Sequence, residues 1–180
     1  QAGILKRTFT AFRILCKKRC NCWKWRPLLM PFDDRELLAR LIQCEAGGEG
    51  EIGMQAVATV VMNRATIDYG EFGRVNQTGP GTKIQNIIMQ PGQFNCAATT
   101  LRGIPNPQNI YNMRPTDIHY EIADWAIAGN RLTGVDHSLY FYNPFAVTCA
   151  PFFPMPNYGV IHNRIGDHCF YIPTVYYPNT

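Results

Sequence analysis

Apolar residues recur at the three- and four-residue spacing of an α-helix in four segments of the first 130 residues, which predicts four helices there. The first begins after Asp33-Asp34, an acidic pair suited to capping a helix N-terminus. Gly47-Gly48 is expected to end that helix in a left-handed cap, because glycine adopts positive φ without strain. The other three helices are predicted over residues 51–67, 83–90 and 116–128, with loops at residues 70–82 and 105–115.

The last third of the chain has a different pattern, with two aromatic runs of the kind found in β-strands. These runs cover residues 138–144 and 167–173. Helices therefore come first and short strands late, without the βαβ alternation that builds a parallel sheet. This order predicts an α+β fold, with a mainly helical domain and a few short C-terminal β-strands.

Charge divides the chain of 180 residues into two parts. Eight of the 17 basic residues and none of the 13 acidic residues lie within residues 1–32, so the remainder has a net charge of −4. We therefore predict a basic, cysteine-containing tail at residues 1–32 and one domain at residues 33–180. Large apolar residues accompany the basic ones, which makes the tail a candidate for contact with a membrane surface or an anionic matrix. The alternative is a poorly ordered extension, and no membrane-spanning helix or nucleic-acid partner is predicted.

The seven cysteines are an odd number, so they cannot all pair within one chain. Three lie in the tail, and the other four are scattered through the domain without the closely spaced pairs that structural zinc sites use. We therefore expect no metal site and no cofactor. Cys44, Cys96 and Cys149 are expected to be single buried thiols.

Three carboxylates, Glu45, Glu49 and Glu51, lie among glycines between the first two predicted helices. Glu45 falls in the last turn of the first helix, where unpaired backbone carbonyls disfavour a charged carboxylate and raise its pKa. Glu49 and Glu51 fall at the start of the next helix, where the ionised form is favoured. A carboxyl that stays protonated near neutral pH suits a general acid. The alternative is that all three are solvated charges at helix ends.

Aromatic residues in the last third of the chain have amide and imidazole neighbours, including Asn143, Asn157 and His168. Aromatic faces pack against the C–H faces of sugar rings, while amides bind hydroxyl and acetamido groups. This composition is typical of a carbohydrate-binding surface, and a compact aromatic core is the alternative.

Four sequence motifs follow one another in the order of a known family. They are Arg40-Leu41-Ile42-x-x-Glu45-Ala46-x-Gly48-Glu49 continuing through Gly53-x-x-Ala56-Val57 and Val60-x-x-Asn63-Arg64; Ile88-x-Gln90-Pro91-x-Gln93-Phe94; Leu139-Tyr140-Phe141-Tyr142-Asn143-Pro144; and Ile165-Gly166-Asp167-His168-Cys169-Phe170-Tyr171-Ile172-Pro173-Thr174. Together they resemble the cell-wall hydrolase family of bacterial spore-cortex-lytic enzymes, the SleB/CwlJ type. The closing His-Cys-Phe-Tyr run is most similar to the CwlJ branch.

The resemblance implies a lysozyme-like catalytic fold, peptidoglycan glycan strands as the substrate, and Glu45 as the catalytic acid. The chain departs from the family pattern at Gly47, where many relatives have Arg, and this puts a substrate contact of that Arg in doubt. The candidates for binding sugar or positioning Glu45 are Glu49, Asn63, Gln93, Tyr142, Asn143 and His168. Asn63 and Gln93 are equally suited to capping backbone groups.

The expected reaction is cleavage of the β-1,4 bond between N-acetylmuramic acid and N-acetylglucosamine during spore germination. Ordinary glycosidases need two carboxylates, whereas a lytic transglycosylase needs one. Apart from Glu49 and Glu51, no second acidic residue has a clear claim, so transglycosylation is slightly favoured over hydrolysis. The alternatives are a hydrolytic muramidase or glucosaminidase of vegetative or phage-related wall lysis, and a non-catalytic coat or wall protein. The expected location is the boundary of spore coat and cortex, or the cell wall, with a coat or wall-anchoring protein as a candidate partner.

Overall fold

The computed structural model describes residues 30–153 and 158–180. The predictions for residues 1–29 of the tail and for Asn157 lie outside the described residues. Residues 32–180 form one compact unit. None of the helices in the described part of the chain has the length and hydrophobicity that a membrane crossing requires.

Five α-helices occupy the first two thirds of this unit. Asp33 caps the first helix by accepting a hydrogen bond from the backbone N–H of Glu36. Thr82 caps the fourth with a capping box completed by Gln85. The helices are α1 (Asp34–Ala46), α2 (Gly50–Thr66), α3 (Gly70–Thr78), α4 (Lys83–Ile88) and α5 (Asp117–Ile127), with short 3-10 turns at Asn95–Ala97 and Tyr177–Asn179.

Two predictions about glycines are wrong. Residues 70–78 form helix α3 rather than a loop, because Gly70 and Gly73 allow close packing: an added Cβ would lie 2.6 Å from the Tyr177 ring and 2.4 Å from the Asp68 backbone. The left-handed glycine between α1 and α2 is Gly50, with φ of 71°, whereas Gly47 is right-handed with φ of −59°. Helix α1 does end at Ala46, directly before Gly47 as predicted, but without a left-handed cap.

Five strands form two antiparallel sheets. The strands are β1 (Thr100–Leu101), β2 (Ile104–Pro105), β3 (Tyr140–Tyr142), β4 (Gly159–Ile165) and β5 (His168–Pro173). The first two make a small hairpin, and the others a three-stranded sheet in the order β3-β5-β4. Both predicted aromatic strands are present, but β4 was not predicted. Its register shifts between Ile161 and Asn163, and such a bulge breaks the alternation by which a strand is recognised.

One cluster of the core lies between α2 and one face of the larger sheet, while most of the other buried apolar residues lie on the helices. Ala56 and Val60 of α2 pack against Phe170 of β5 and against Val135, and all four are fully buried. On the other face of the sheet, a disulfide joins Cys149 to Cys169. The expectation of a single buried thiol at Cys149 is therefore wrong, because folding brings the loop after β3 beside β5.

Candidate active site

Glu45 lies in the last turn of α1, and its side chain is held by the segment that follows α4. The Sγ of Cys96, in the 3-10 turn, donates to Oε1 of Glu45 at 3.2 Å. Burial raises the pKa of the Glu45 carboxyl, while the hydrogen bond from Cys96 and the positive charge of Arg64 act in the opposite direction. Glu45 is thus a carboxyl with an increased tendency to hold its proton.

Arg64 of α2 is the cation near this carboxyl. It is buried, and its Nε donates to the backbone carbonyl of Leu139 at 2.6 Å. Its guanidinium lies over the rings of Phe72 and Phe94, at 4.6 and 5.3 Å from the ring centres. Burial lowers the pKa of Arg64 to about 10, so the group stays charged at neutral pH. A fixed positive charge can stabilise the ionised form of Glu45 after it has given up a proton.

Gln93 connects this arginine to a second carboxylate. Its Oε1 accepts from Nη1 of Arg64 at 3.4 Å, and its Nε2 donates to Oε1 of Glu71 at 3.2 Å. Gln90 donates to the same oxygen of Glu71 at 2.5 Å. Glu71 was missed as a functional candidate because its helix, α3, was predicted to be a loop. Gln93 thus connects the side chains of Arg64 and Glu71 and does not cap backbone groups.

Glu49 and His168 form a separate contact at the start of α2. Glu49 accepts from the backbone N–H of Asp167 through Oε2 at 2.8 Å, and its Oε1 lies 3.5 Å from Nδ1 of His168. Burial lowers the pKa of His168, and the negative charge of Glu49 opposes that change. Both oxygens of Glu49 are therefore engaged by the β4–β5 turn.

The aromatic ring of Phe141 lies between the ring of His168 and the ring of Phe94. Its centre is 5.5 Å from that of His168 and 6.2 Å from that of Phe94, the ring that contacts Arg64. Phe141 therefore links the Glu49–His168 contact to the ring that packs against Arg64.

Tyr142 and Asn143 have other surroundings. In β3, Tyr142 alternates with Phe141 and lies on the opposite sheet face, where it stacks on Tyr171 with ring centres 5.7 Å apart. Asn143 accepts from the backbone N–H of Phe145 at 2.7 Å and shapes the turn after β3.

The Asn63 side chain forms hydrogen bonds with the backbone after α5 and not with Glu45. Its amide donates to the carbonyls of Asp136 and Ser138 at 2.9 and 3.0 Å and accepts from Arg131. Asn63 also borders an open pocket of about 520 Å³, whose lining does not include Glu45.

Cys44, Glu45 and Cys96 form a group that can hold a metal ion. One donor atom from each residue lies within 4.8 Å of the other two. Cys44 and Cys96 are both free thiols. The sequence did not indicate this group, because Cys96 is far from Cys44 along the chain.

Comparison with known proteins supplies the family. The model of the cell wall hydrolase family matches residues 48–171, more than half of the chain. The chain belongs to the cell wall hydrolase family. Within this family it is similar to the cell wall hydrolase CwlJ of Oceanobacillus iheyensis, with 30% identity over 77% of this chain and 86% of the relative. CwlJ of Halalkalibacterium halodurans and of Bacillus subtilis are each 28% identical over 78% of this chain and 86% of the relative.

Solved structures of the same family give the fold. The catalytic domain of the germination-specific lytic transglycosylase SleB from Bacillus anthracis is 25% identical, with a TM-score of 0.54 over 81% of this chain and 98% of that domain. The SleB catalytic domain from Bacillus cereus is 27% identical, with a TM-score of 0.53 over 77% of this chain and 88% of that domain. The predicted family and the predicted lysozyme-like α+β fold are confirmed. The family match begins at residue 48, three residues after Glu45.

Proposed function

We propose that this protein degrades peptidoglycan by cleaving the β-1,4 bond between N-acetylmuramic acid and N-acetylglucosamine, with Glu45 as the catalytic acid. The observation that carries the proposal is the position of Glu45: a half-buried carboxyl at the end of α1, hydrogen-bonded to Cys96 in a chain of the cell wall hydrolase family. Its raised pKa is the direction that a general acid needs near neutral pH.

The reaction proceeds as a lytic transglycosylation. Protonated Glu45 gives its proton to the glycosidic oxygen as the bond to the muramyl C1 breaks, and positive charge develops on the sugar ring. The ionised Glu45 then removes the proton of the muramyl 6-hydroxyl, whose oxygen attacks C1 and closes a 1,6-anhydro ring. Glu45 ends protonated, and no water is consumed. Between the two steps, the charge of Arg64 stabilises the carboxylate.

Glu49 is the neighbouring carboxylate that bears on the choice between transglycosylation and hydrolysis. A hydrolytic route needs a second carboxylate as nucleophile or base. Oε2 of Glu49 accepts the Asp167 amide and Oε1 lies beside His168, so Glu49 is occupied in holding the β4–β5 turn. This contact favours the route that uses Glu45 alone, as does the likeness to SleB of B. anthracis, which is a lytic transglycosylase.

The substrate class and location follow the same relatives. We propose spore cortex as the substrate during germination, since the SleB relative is germination-specific, and a location at the coat and cortex boundary or in the cell wall.

Residues 1–32 are proposed to anchor the protein through their positive charge. Deletion of residues 1–32 from a fluorescent fusion should release it from the spore periphery, and unchanged localisation would exclude an anchoring role.

The direct test of Glu45 is a pair of isosteric variants. Glu45→Gln removes the transferable proton while keeping the shape, and should abolish the turbidity loss of permeabilised spores. Glu51→Gln is the matched control, because Glu51 is an exposed carboxylate of α2 that accepts a hydrogen bond from Gln55 within its own helix, and this variant should retain lysis. Substantial lysis by a folded Glu45→Gln variant would remove Glu45 from the mechanism.

A non-catalytic coat protein is the rival function, and the same assay separates the two. If the protein is a coat protein without catalytic activity, the wild-type chain will not reduce the turbidity of permeabilised spores.

A further inference from the structure

We propose that Cys44, Glu45 and Cys96 form a binding site for a thiol-preferring divalent metal ion such as Zn²⁺, and that the bound ion inhibits lysis by occupying the Glu45 carboxylate. The binding part stands on the geometry alone, while the inhibitory part rests on the proposed function of Glu45. This proposal revises the expectation of no metal site.

The donor atoms are close to the spacing that a metal requires. In a tetrahedral zinc site, bonds of about 2.3 Å to sulfur and about 2.1 Å to oxygen place donor atoms about 3.6 to 3.8 Å apart. The sulfur atoms of Cys44 and Cys96 and an oxygen of Glu45 already lie within 4.8 Å of one another. Small rotations of the side chains can close the remaining difference, because Cys44 and Glu45 are only half-buried.

Local structure fixes two of the three ligands before a metal arrives. Cys96 is buried in its 3-10 turn and already contacts Oε1 of Glu45. Cys44 and Glu45 are consecutive in the last turn of α1, whose backbone carbonyls carry partial negative charge and favour a cation. A preformed site loses less conformational entropy on binding than one assembled from a flexible loop.

The local charge also suits a divalent ion. Two thiolates and one carboxylate carry three negative charges, and Arg64 contributes a positive charge nearby. A divalent cation brings the total to zero, so its charge balances that of the ligands and of Arg64. Thiolate ligands select soft or borderline metals such as Zn²⁺ and Co²⁺ over Ca²⁺ and Mg²⁺, which prefer oxygen.

The consequence for lysis follows from the ligand set. A carboxylate bound to the ion cannot hold the proton that the glycosidic oxygen must receive, so the metal-bound enzyme is inactive. When the ion leaves, Glu45 and the two cysteines take up protons from solvent, which restores the acid. The site would therefore keep the enzyme inactive wherever zinc is present and release its activity where a chelator removes zinc.

Binding is tested with Co²⁺, whose bonds to thiolates give a near-ultraviolet charge-transfer band. The full chain should carry Cys16→Ser, Cys20→Ser and Cys22→Ser, so that only Cys44 and Cys96 remain as free thiols. A band that saturates at one Co²⁺ per chain and is displaced by Zn²⁺ is expected. Cys44→Ser and Cys96→Ser should each weaken the band at least tenfold while the circular dichroism spectrum is kept. No band, or a band that survives both substitutions, would overturn the site.

Inhibition is tested separately on the same proteins. Stoichiometric Zn²⁺ should reduce lysis at least tenfold, with recovery after addition of a chelator, and each Cys→Ser variant should lose this sensitivity relative to its own metal-free rate. A saturated Co²⁺ band with undiminished lysis would overturn the inhibitory role. Failure of the proposed function itself would be seen differently, as lysis by metal-free Glu45→Gln.

Discussion

The contact between Glu49 and the β4–β5 turn can be tested by adding one methyl group to Gly166. Gly166 has φ of 56°, and an added Cβ would lie 1.8 Å from Oε2 of Glu49. In Gly166→Ala, Glu49 must therefore leave its position and lose the hydrogen bond from the Asp167 amide. Gly103 is the matched control, because it also has positive φ, 80°, but has open space where a Cβ would be added.

The two variants should lose different amounts of stability, because only Gly166→Ala disturbs Glu49. A non-glycine residue in the left-handed region costs about 1–2 kcal/mol, and both variants bear this strain. Loss of a hydrogen bond to a charged group costs about 1.5–3 kcal/mol more, and only Gly166→Ala bears it. With about 2–4 °C per kcal/mol for a domain of this size, Gly103→Ala should lower the unfolding midpoint by about 2–8 °C and Gly166→Ala by about 5–20 °C.

The assay is thermal and urea unfolding followed by circular dichroism, completed by a double-mutant cycle. In a Glu49→Ala background the obstructing carboxylate is absent, so Gly166→Ala should cost only the backbone strain, as Gly103→Ala does. Equal costs for the two glycine variants in the wild-type background would refute the reasoning, as would an unchanged cost of Gly166→Ala when Glu49 is Ala.

Three further predictions concern stability. Cys149→Ser should lower the free energy of unfolding by about 3 kcal/mol, the chain-entropy value for a loop closed over the 20 residues to Cys169; a change below about 0.5 kcal/mol would contradict a formed disulfide. Arg64→Lys should lower the free energy of unfolding by about 1–3 kcal/mol, because it leaves the buried carbonyl of Leu139 unpaired. Arg35→Lys, at an exposed ion pair, is the control and should lower it by less than about 1 kcal/mol. Equal losses would contradict the role of Arg64 in the buried contact. Burial raises the pKa of Glu45 in the folded state, so the protein loses stability as pH rises through that pKa. With a chelator present, the free energy of unfolding of Glu45→Gln should rise relative to that of wild type as pH increases from 4 to 8. Urea unfolding at each pH measures this difference, and a difference that does not change with pH would contradict the burial of the charge.

The sequence predicts the helical part of the fold well where local signals agree. Apolar spacing indicates α1, α2, α4 and α5 close to their observed ends, and α1, α4 and α5 also carry recognisable N-caps at Asp33, Thr82 and Thr116. Helix α3 was missed because Gly70 and Gly73 usually indicate a loop. Here they serve contacts with Tyr177 and Asp68 that exist only in the folded chain.

The site was predictable only in its local part. The position of Glu45 at the end of α1 follows from the helix pattern, but the raised pKa of its carboxyl comes from burial, which depends on the folded chain. Arg64 belongs to the same sequence motif as Glu45, but the motif does not show that Arg64 lies near the carboxyl, and no spacing in the sequence relates Cys96 to Glu45. The same applies to the bond between Cys149 and Cys169, which depends on where the loop after β3 lies against β5.

The central claim is that one carboxyl, Glu45, acts as both acid and base in a transglycosylation. Mass spectrometry of the muropeptides released from purified spore cortex by the wild-type protein tests it most directly. The account predicts 1,6-anhydromuramic acid ends, without added water, and their absence from digests with Glu45→Gln. Products with reducing ends that have gained water, in a reaction that still depends on Glu45, would contradict it and would indicate hydrolysis with a second catalytic group.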